Sequence, residues 1–214
     1  MAKRLCGIDV SRHNRNMQNM RDINAYDFVI MKATEGRSYK DQSLPIWLAY
    51  LDDDTLKGLY HFCRADLGTS PVEEAENFLK YTEYMIDGQT ALFLDVEGHA
   101  LLQKNIDEWC AVWCEYVYNK TGIKPLIYTG YAFLKKFKKC AEYGCGLWLA
   151  KWGPKPKEVK PWEFWAFWQY TSDGIVSGVR CDLDYFNGSR EQYLKYCEVM
   201  RNDKSEDSDS AGDK

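Results

Sequence analysis

The sequence predicts an α/β fold, a mostly parallel sheet covered by helices and either open or closed into a barrel. Three observations predict it. Short β-rich runs recur along the chain, helical patterns follow the first five, and the last three follow one another through short links. The total of eight matches the strand count that closes a barrel filled by side chains. A complete eightfold β/α barrel takes about 250 residues, whereas this chain has 214. Helices missing after the sixth and seventh runs account for the shortfall.

In order, the runs are Leu5–Val10, Phe28–Ala33, Gly58–Phe62, Ala91–Glu97, Pro125–Thr129, Leu147–Lys151, Trp165–Tyr170 and Val179–Phe186. Weak helical patterns cover Met17–Asp22 and Ser43–Asp52 after the first two. After the third, Ser70-Pro71-Val72-Glu73 offers an N-cap serine, proline at the first helical position and a glutamate able to close a capping box. Ala75, Phe78, Leu79 and Ile86 keep helical spacing behind it until Gly88. The next helix carries Ile106, Trp109, Cys110, Trp113 and Val117 on one stripe and stops near Gly122. Weaker helices fit Tyr131–Cys140 and a terminal Arg190–Met200.

Composition narrows the class. A content of 45% hydrophobic and 28% charged residues describes one globular domain, assigned to residues 1–200. A chain of this length buries about 70% of its unfolded surface, so neither metal nor disulfides are required to hold it. The net charge of −4 argues against a nucleic-acid partner. A mean hydropathy of −0.52 with no 18-residue apolar run argues against a membrane span. Residues 201–214 carry five acids and three bases but no large apolar side chain, and are expected to form a disordered tail or linker. The N-terminus shows no apolar signal-peptide core, so synthesis in the cytoplasm is expected. Eight cysteines without a CxxC are expected to be reduced core thiols, Cys110 and Cys114 among them.

The strongest chemical signal is Leu92-Phe93-Leu94-Asp95-Val96-Glu97, an apolar strand that ends in two acids. Residues i and i+2 share a face, which sets Asp95 and Glu97 roughly 6–7 Å apart along the strand. Asp9 lies in Ile8-Asp9-Val10 at the close of the first run, and Asp182 and Asp184 lie on the last. Active sites of barrels and open α/β sheets sit at the C-terminal ends of the strands. Grouped like charges raise at least one pKa, as a general acid at neutral pH requires. Paired carboxylates beside 8 Trp, 15 Tyr and 9 Phe point to glycoside hydrolysis. Two other classes compete. His13, His61 and His99 beside the acids suggest a metal-dependent deacetylase or amidase, although no HxxxH or HxxEH spacing occurs. The aromatic residues alone would also suit a non-catalytic glycan-binding module.

At these residues the chain resembles the family 25 glycoside hydrolases, the Chalaropsis-type lysozymes. The matching stretches are Gly7–Ser11, Phe28–Gly36, Gly58–Phe62, Leu94–Glu97, Leu126–Gly130, Leu147–Ala150, Phe167–Thr171 and Asp182–Phe186. The resemblance implies an irregular TIM-like (β/α)5(β)3 barrel. It also implies cleavage of the β-1,4 bond between N-acetylmuramic acid and N-acetylglucosamine in peptidoglycan, outside the cell or at its wall, by a monomer without metal or cofactor. By the same resemblance Glu97 looks like the proton donor, Asp95 its partner at the 2-acetamido group, and Asp9 and Asp182 flanking acids. Tyr60, Tyr128, Trp148, Gln169, Glu35 and Asp184 complete the set implied to bind substrate. Trp168 is also expected within reach of the acids, whereas Trp109 and Trp113 belong to the core. Cys181 departs from the valine expected before Asp182.

Overall fold

A computed structural model describes residues 4–199; the tail assigned to 201–214 lies outside the described residues. The strands are β1 (Leu5–Val10), β2 (Phe28–Glu35), β3 (Tyr39–Lys40), β4 (Leu56–Phe62), β5 (Thr90–Asp95), β6 (Leu126–Gly130), β7 (Gly146–Ala150), β8 (Phe167–Val176) and β9 (Val179–Phe186). The helices are α1 (Leu44–Tyr50), α2 (Pro71–Thr82), α3 (Ile106–Thr121), α4 (Lys138–Glu142) and α5 (Arg190–Leu194). Eight strands close in the order β1-β2-β4-β5-β6-β7-β8-β9, because β1 pairs with both β2 and β9. The two-residue β3 is an appendage on β2, too short to leave a sequence signal.

Alternation along each strand divides the core into two layers. Phe28, Ile30, Phe93, Leu126, Phe167 and Phe186 fill the barrel. Val29, Met31, Leu92, Leu94, Ile127 and Leu149 point outward, under Phe78 of α2 and Trp113 and Val117 of α3. The interior is tight enough to require missing side chains. A Cβ on Gly7 would lie 2.2 Å from the Phe28 ring, and one on Gly58 2.7 Å from Phe93. Tyr193 of α5 plugs the end of the barrel away from the strand C-termini. It is fully buried against Phe28, Phe167 and Phe186 and donates to the Lys57 carbonyl at 3.0 Å.

The capping box of α2 forms as its sequence predicts. The Ser70 hydroxyl accepts from the Glu73 amide, and the Glu73 carboxylate accepts from the Ser70 amide at 3.0 Å. α3 ends at Gly122, left-handed with φ 71°.

The weaker helices differ from expectation. Met17–Asp22 is replaced by a 3-10 segment, Met20–Ala25, capped by the Asn19 side chain. Tyr131–Cys140 splits into a 3-10 turn and the short α4, because Phe137 (φ −111°, ψ 45°) is not helical. α5 stops at Leu194. The seventh strand starts at Phe167 and extends to Val176, beyond the expected Trp165–Tyr170. Its connection to β9 is the two-residue turn Ser177-Gly178, both with positive φ, which suits a right-twisted hairpin. The last strand therefore runs antiparallel to both its neighbours.

Candidate active site

The mouth of the barrel lies at the C-terminal ends of its parallel strands. β9 runs the other way, so Asp182 and Asp184 reach that mouth from the middle of their strand and not from its end. The register sets Asp182 opposite Asp9, and Asp184 opposite both Gly7 and Gln169. Asp95 closes the inward series Ala91, Phe93, Asp95 at the end of β5. Glu97 is two residues on, past the strand, yet its backbone stays extended (φ −144°, ψ −177°) and keeps the alternation. The Val96 amide carries the ladder on to the Tyr128 carbonyl at 3.0 Å, and the Thr129 hydroxyl holds the Val96 carbonyl at 3.0 Å.

A hydrogen-bonded network fixes the acids from below. Gln169 Nε2 donates to Asp9 Oδ2 at 2.8 Å, while Gln169 Oε1 accepts from Tyr128 Oη at 3.1 Å and Trp152 Nε1 at 3.2 Å. Trp148 Nε1 donates to Asp184 Oδ1 at 2.7 Å. Asp9 and Asp95 are almost fully buried and Asp184 completely so. One oxygen of Asp95, Oδ1, is buried without a protein partner, as is Oδ2 of Asp184.

Burial dominates the electrostatics of every acid. It pushes Asp9 well above the usual carboxylate range, with the charges of Asp184 and Asp182 adding and the Gln169 hydrogen bond opposing. Asp184 is pushed up to about 7, chiefly by burial and against the Trp148 N–H. Burial also raises Asp182. Asp95 is raised well above its ordinary value by burial and then by the Glu97 charge, with Lys32 opposing. Glu97, on the exposed rim, is raised by desolvation among its neighbours and by Asp182, again against Lys32. Burial and grouped like charges thus act in the same direction on all five acids.

The structure brings Asp9, Asp95, Glu97, Asp182, Asp184, Gln169, Tyr60 and Tyr128 to one end of the barrel. Tyr60 and Tyr128 are 8% exposed, and burial followed by the neighbouring carboxylates raises both phenols. Trp148, implied as a sugar platform, instead lies beneath them, 2% exposed, with ring centroids 6.1 Å from Tyr60 and 4.5 Å from Tyr128. It supports Asp184 and offers no open face. Asp184 is likewise closed off from solvent. Trp168 faces outward, away from the acids, against Trp165. Glu35 is tied at 2.8 Å to both Lys32 and Arg64, which hold its carboxyl below the ordinary value although burial pushes it up. His61, weighed as a metal ligand, is buried outside the barrel. It sits between Thr34 Oγ1 at 2.7 Å and Glu74 Oε2 at 2.8 Å, and burial lowers its pKa.

Two residues at this mouth escaped sequence reasoning. Lys32 is the cation of the inward series Phe28, Ile30, Lys32, and lies 4.5 Å over the Phe62 ring. Trp152, directly beyond β7, is 62% exposed and bonded to Gln169, the arrangement expected of an aromatic platform for a sugar. A charge inside an apolar strand and a tryptophan just past a strand end were the available signals.

Residues 8–179 match the sequence profile of the glycosyl hydrolases family 25. The chain is 29% identical over 205 residues to an uncharacterised protein, YegX, of Escherichia coli O157:H7, covering 91% of this chain and 74% of that one. It is also 29% identical to Lysozyme M1 of Streptomyces globisporus, covering 88% of this chain and 69% of that protein. Among solved structures, a lysozyme from Streptomyces coelicolor superposes with a TM-score of 0.79 at 25% identity, covering 92% of this chain and 98% of that one. The barrel, the acids at its mouth and a match running through most of the strands agree: this chain belongs to glycosyl hydrolase family 25.

Proposed function

We infer that the chain is a lysozyme, a peptidoglycan hydrolase that cleaves the β-1,4 bond between N-acetylmuramic acid and N-acetylglucosamine. Family membership and the lysozyme relatives support the activity. The observation that carries the mechanism is the Asp95/Glu97 pair, with Asp95 Oδ1 buried, unpartnered and beside the rim carboxyl.

Each side chain then has one task. Glu97, raised in pKa and exposed, donates its proton to the glycosidic oxygen as the bond to C1 breaks. The acetamido carbonyl oxygen of the same muramic acid residue attacks C1, closing an oxazolinium ring, while Asp95 accepts the acetamido N–H. This route uses the substrate as its own nucleophile, an exception to the two-carboxylate scheme. Glu97, now ionised, takes a proton from water as that water opens the ring, so configuration at C1 is retained. Lys32 opposes the charge build-up on Asp95 and Glu97, and Asp182 and Asp9 keep the field acidic. Tyr60, Tyr128 and Gln169 position the sugar, and Trp152 offers a ring for stacking. On this reading the protein acts as a monomer on wall peptidoglycan outside the cytoplasm, with no nucleic-acid or membrane partner. Among the described residues no helix is long and apolar enough to cross a membrane.

The test is hydrolysis of purified cell walls with and without EDTA, with the first product followed by NMR. New reducing ends, unaffected by chelator and first formed as the β-anomer, are expected. Release of acetate or amine blocked by EDTA indicates a deacetylase or amidase. Binding without turnover indicates a glycan-binding module. An α-anomer as first product contradicts the acetamido route.

A further inference from the structure

Five of the buried cysteines lie around α3, four of them away from the active-site network and the fifth, Cys63, beside Asp95. Cys110 and Cys114 are one helical turn apart and share a face of α3. Facing them are Cys140, on α4, and Cys145, just before β7. The backbones of those two are tied by the Cys145 amide donating to the Cys140 carbonyl at 3.0 Å. The Cys140 thiol donates to the Asp107 carbonyl of α3 at 3.6 Å, one turn before Cys110; Cys140 and Cys63 are neighbours of the Cys110 thiol, and Cys145 of the Cys114 thiol. The arrangement is a ladder of two rungs, 110–140 and 114–145, joining α3 to the α4–β7 segment. All four rung residues are reduced and at most 2% exposed.

We propose that this ladder is an oxidation site, closing to two disulfides, Cys110–Cys140 and Cys114–Cys145, when the protein meets a disulfide oxidant. Geometry selects these pairs. Cys63 is the other neighbour of Cys110, but its amide donates to the Asp95 carbonyl at 2.9 Å, which fixes it in the barrel wall. Cys140 instead sits on a five-residue helix docked on the first turn of α3, where the Lys139 and Cys140 amides donate to the Asp107 carboxylate at 2.8 and 3.1 Å, so its thiol is held on the α3 side that carries Cys110. Among the described residues no three such side chains are disposed to hold a metal ion, which separates the ladder from a thiolate metal site.

In each rung two Cys S–H bonds break and one S–S bond forms. The two protons and two electrons pass to the oxidant, a low-molecular-weight disulfide such as oxidised glutathione, whose own S–S bond is cleaved to two thiols. Burial pushes the Cys110 and Cys114 thiols well above their usual range, so little thiolate is present in the closed state. Oxidation therefore follows opening of α4 or accompanies folding. The cross-links then tie together segments about thirty residues apart in sequence, a constraint on the unfolded chain.

The test is thiol mapping of the full chain. Reduced protein is held in a mixture of oxidised and reduced glutathione near its opening temperature, quenched with iodoacetamide in denaturant, and mapped by mass spectrometry without reduction. Linked peptides carrying Cys110–Cys140 and Cys114–Cys145 are expected, with Cys63 and Cys181 alkylated. Oxidation should raise Tm by about 5 °C or more. The shift should disappear in Cys110→Ala/Cys145→Ala, which removes one partner from each rung. Full alkylation of all five thiols, dominant pairing with Cys63 or Cys181, or a lower Tm after oxidation would overturn the proposal. The wild-type map decides the matter even if the variant does not fold.

Discussion

Asp184 is an acid wholly out of solvent within the network beneath the barrel mouth. Its carboxyl is held by the Trp148 N–H, neighbours Asp9, two residues along β1 from its register partner Gly7, and is pushed up to about 7. The unfolded value is near 3.9, so ionisation opposes folding. Its contribution to stability is complete below about pH 4 and is lost as pH rises through about 7. Asp184→Asn keeps an oxygen for the Trp148 N–H and removes the titration. Thermal unfolding at pH 5 and pH 8 should show wild type losing about 2–4 kcal/mol more than the variant over that interval. Equal losses in the two proteins would show that Asp184 is ionised at little cost in the fold. Trp152 and Trp148 make a complementary point. The exposed tryptophan stands open at the mouth, while the buried one holds an acid.

At the scale of elements, local chemistry decided what the sequence could reveal. The Ser70–Glu73 box and the Gly122 stop mark α2 and α3 because each satisfies backbone groups at a helix end. Ser70→Ala should cost about 1 kcal/mol and lower Tm by about 2–4 °C, with wall hydrolysis at 25 °C unchanged; calorimetry and the reducing-end assay check the two halves. The pattern at Tyr131–Cys140 has no side-chain cap and breaks at Phe137, and in Met17–Asp22 the Asn19 cap falls inside the expected helix, so only a 3-10 segment starts there. Tyr193 belongs to a helix of only five residues, yet that helix closes the barrel floor. Tyr193→Ala should cost about 3–5 kcal/mol, the usual range for emptying a large aromatic site, read as the urea midpoint. A loss under about 1 kcal/mol would mean the floor collapses to fill the space.

Across the whole molecule, the eight strands and the Asp95/Glu97 pair at a strand end are legible in the sequence, and closure follows from the family resemblance, but the facing of each strand is not. Parallel strands packed on both faces read as continuous apolar runs and carry no phase. Trp148 and Trp168 therefore look alike in sequence, although one lies under the acids and the other outside the barrel. Asp95 and Glu97 are legible because two charges at the end of an apolar strand have few structural uses. Lys32 is not, since one lysine in a strand passes for an edge residue until closure turns it inward. The antiparallel β9 depends on the two-residue turn at Ser177-Gly178, and that turn is why Asp182 and Asp184 reach the mouth from mid-strand.

The central claim is that Glu97 is the proton donor of a lysozyme. It is tested most directly by comparing wild type and Glu97→Gln on purified peptidoglycan, with matched circular dichroism and Tm to establish that both are folded. Loss of reducing-end release by about 10²–10⁴-fold, with the fold unchanged, is the predicted result. Wild-type turnover by a folded Glu97→Gln protein would contradict it.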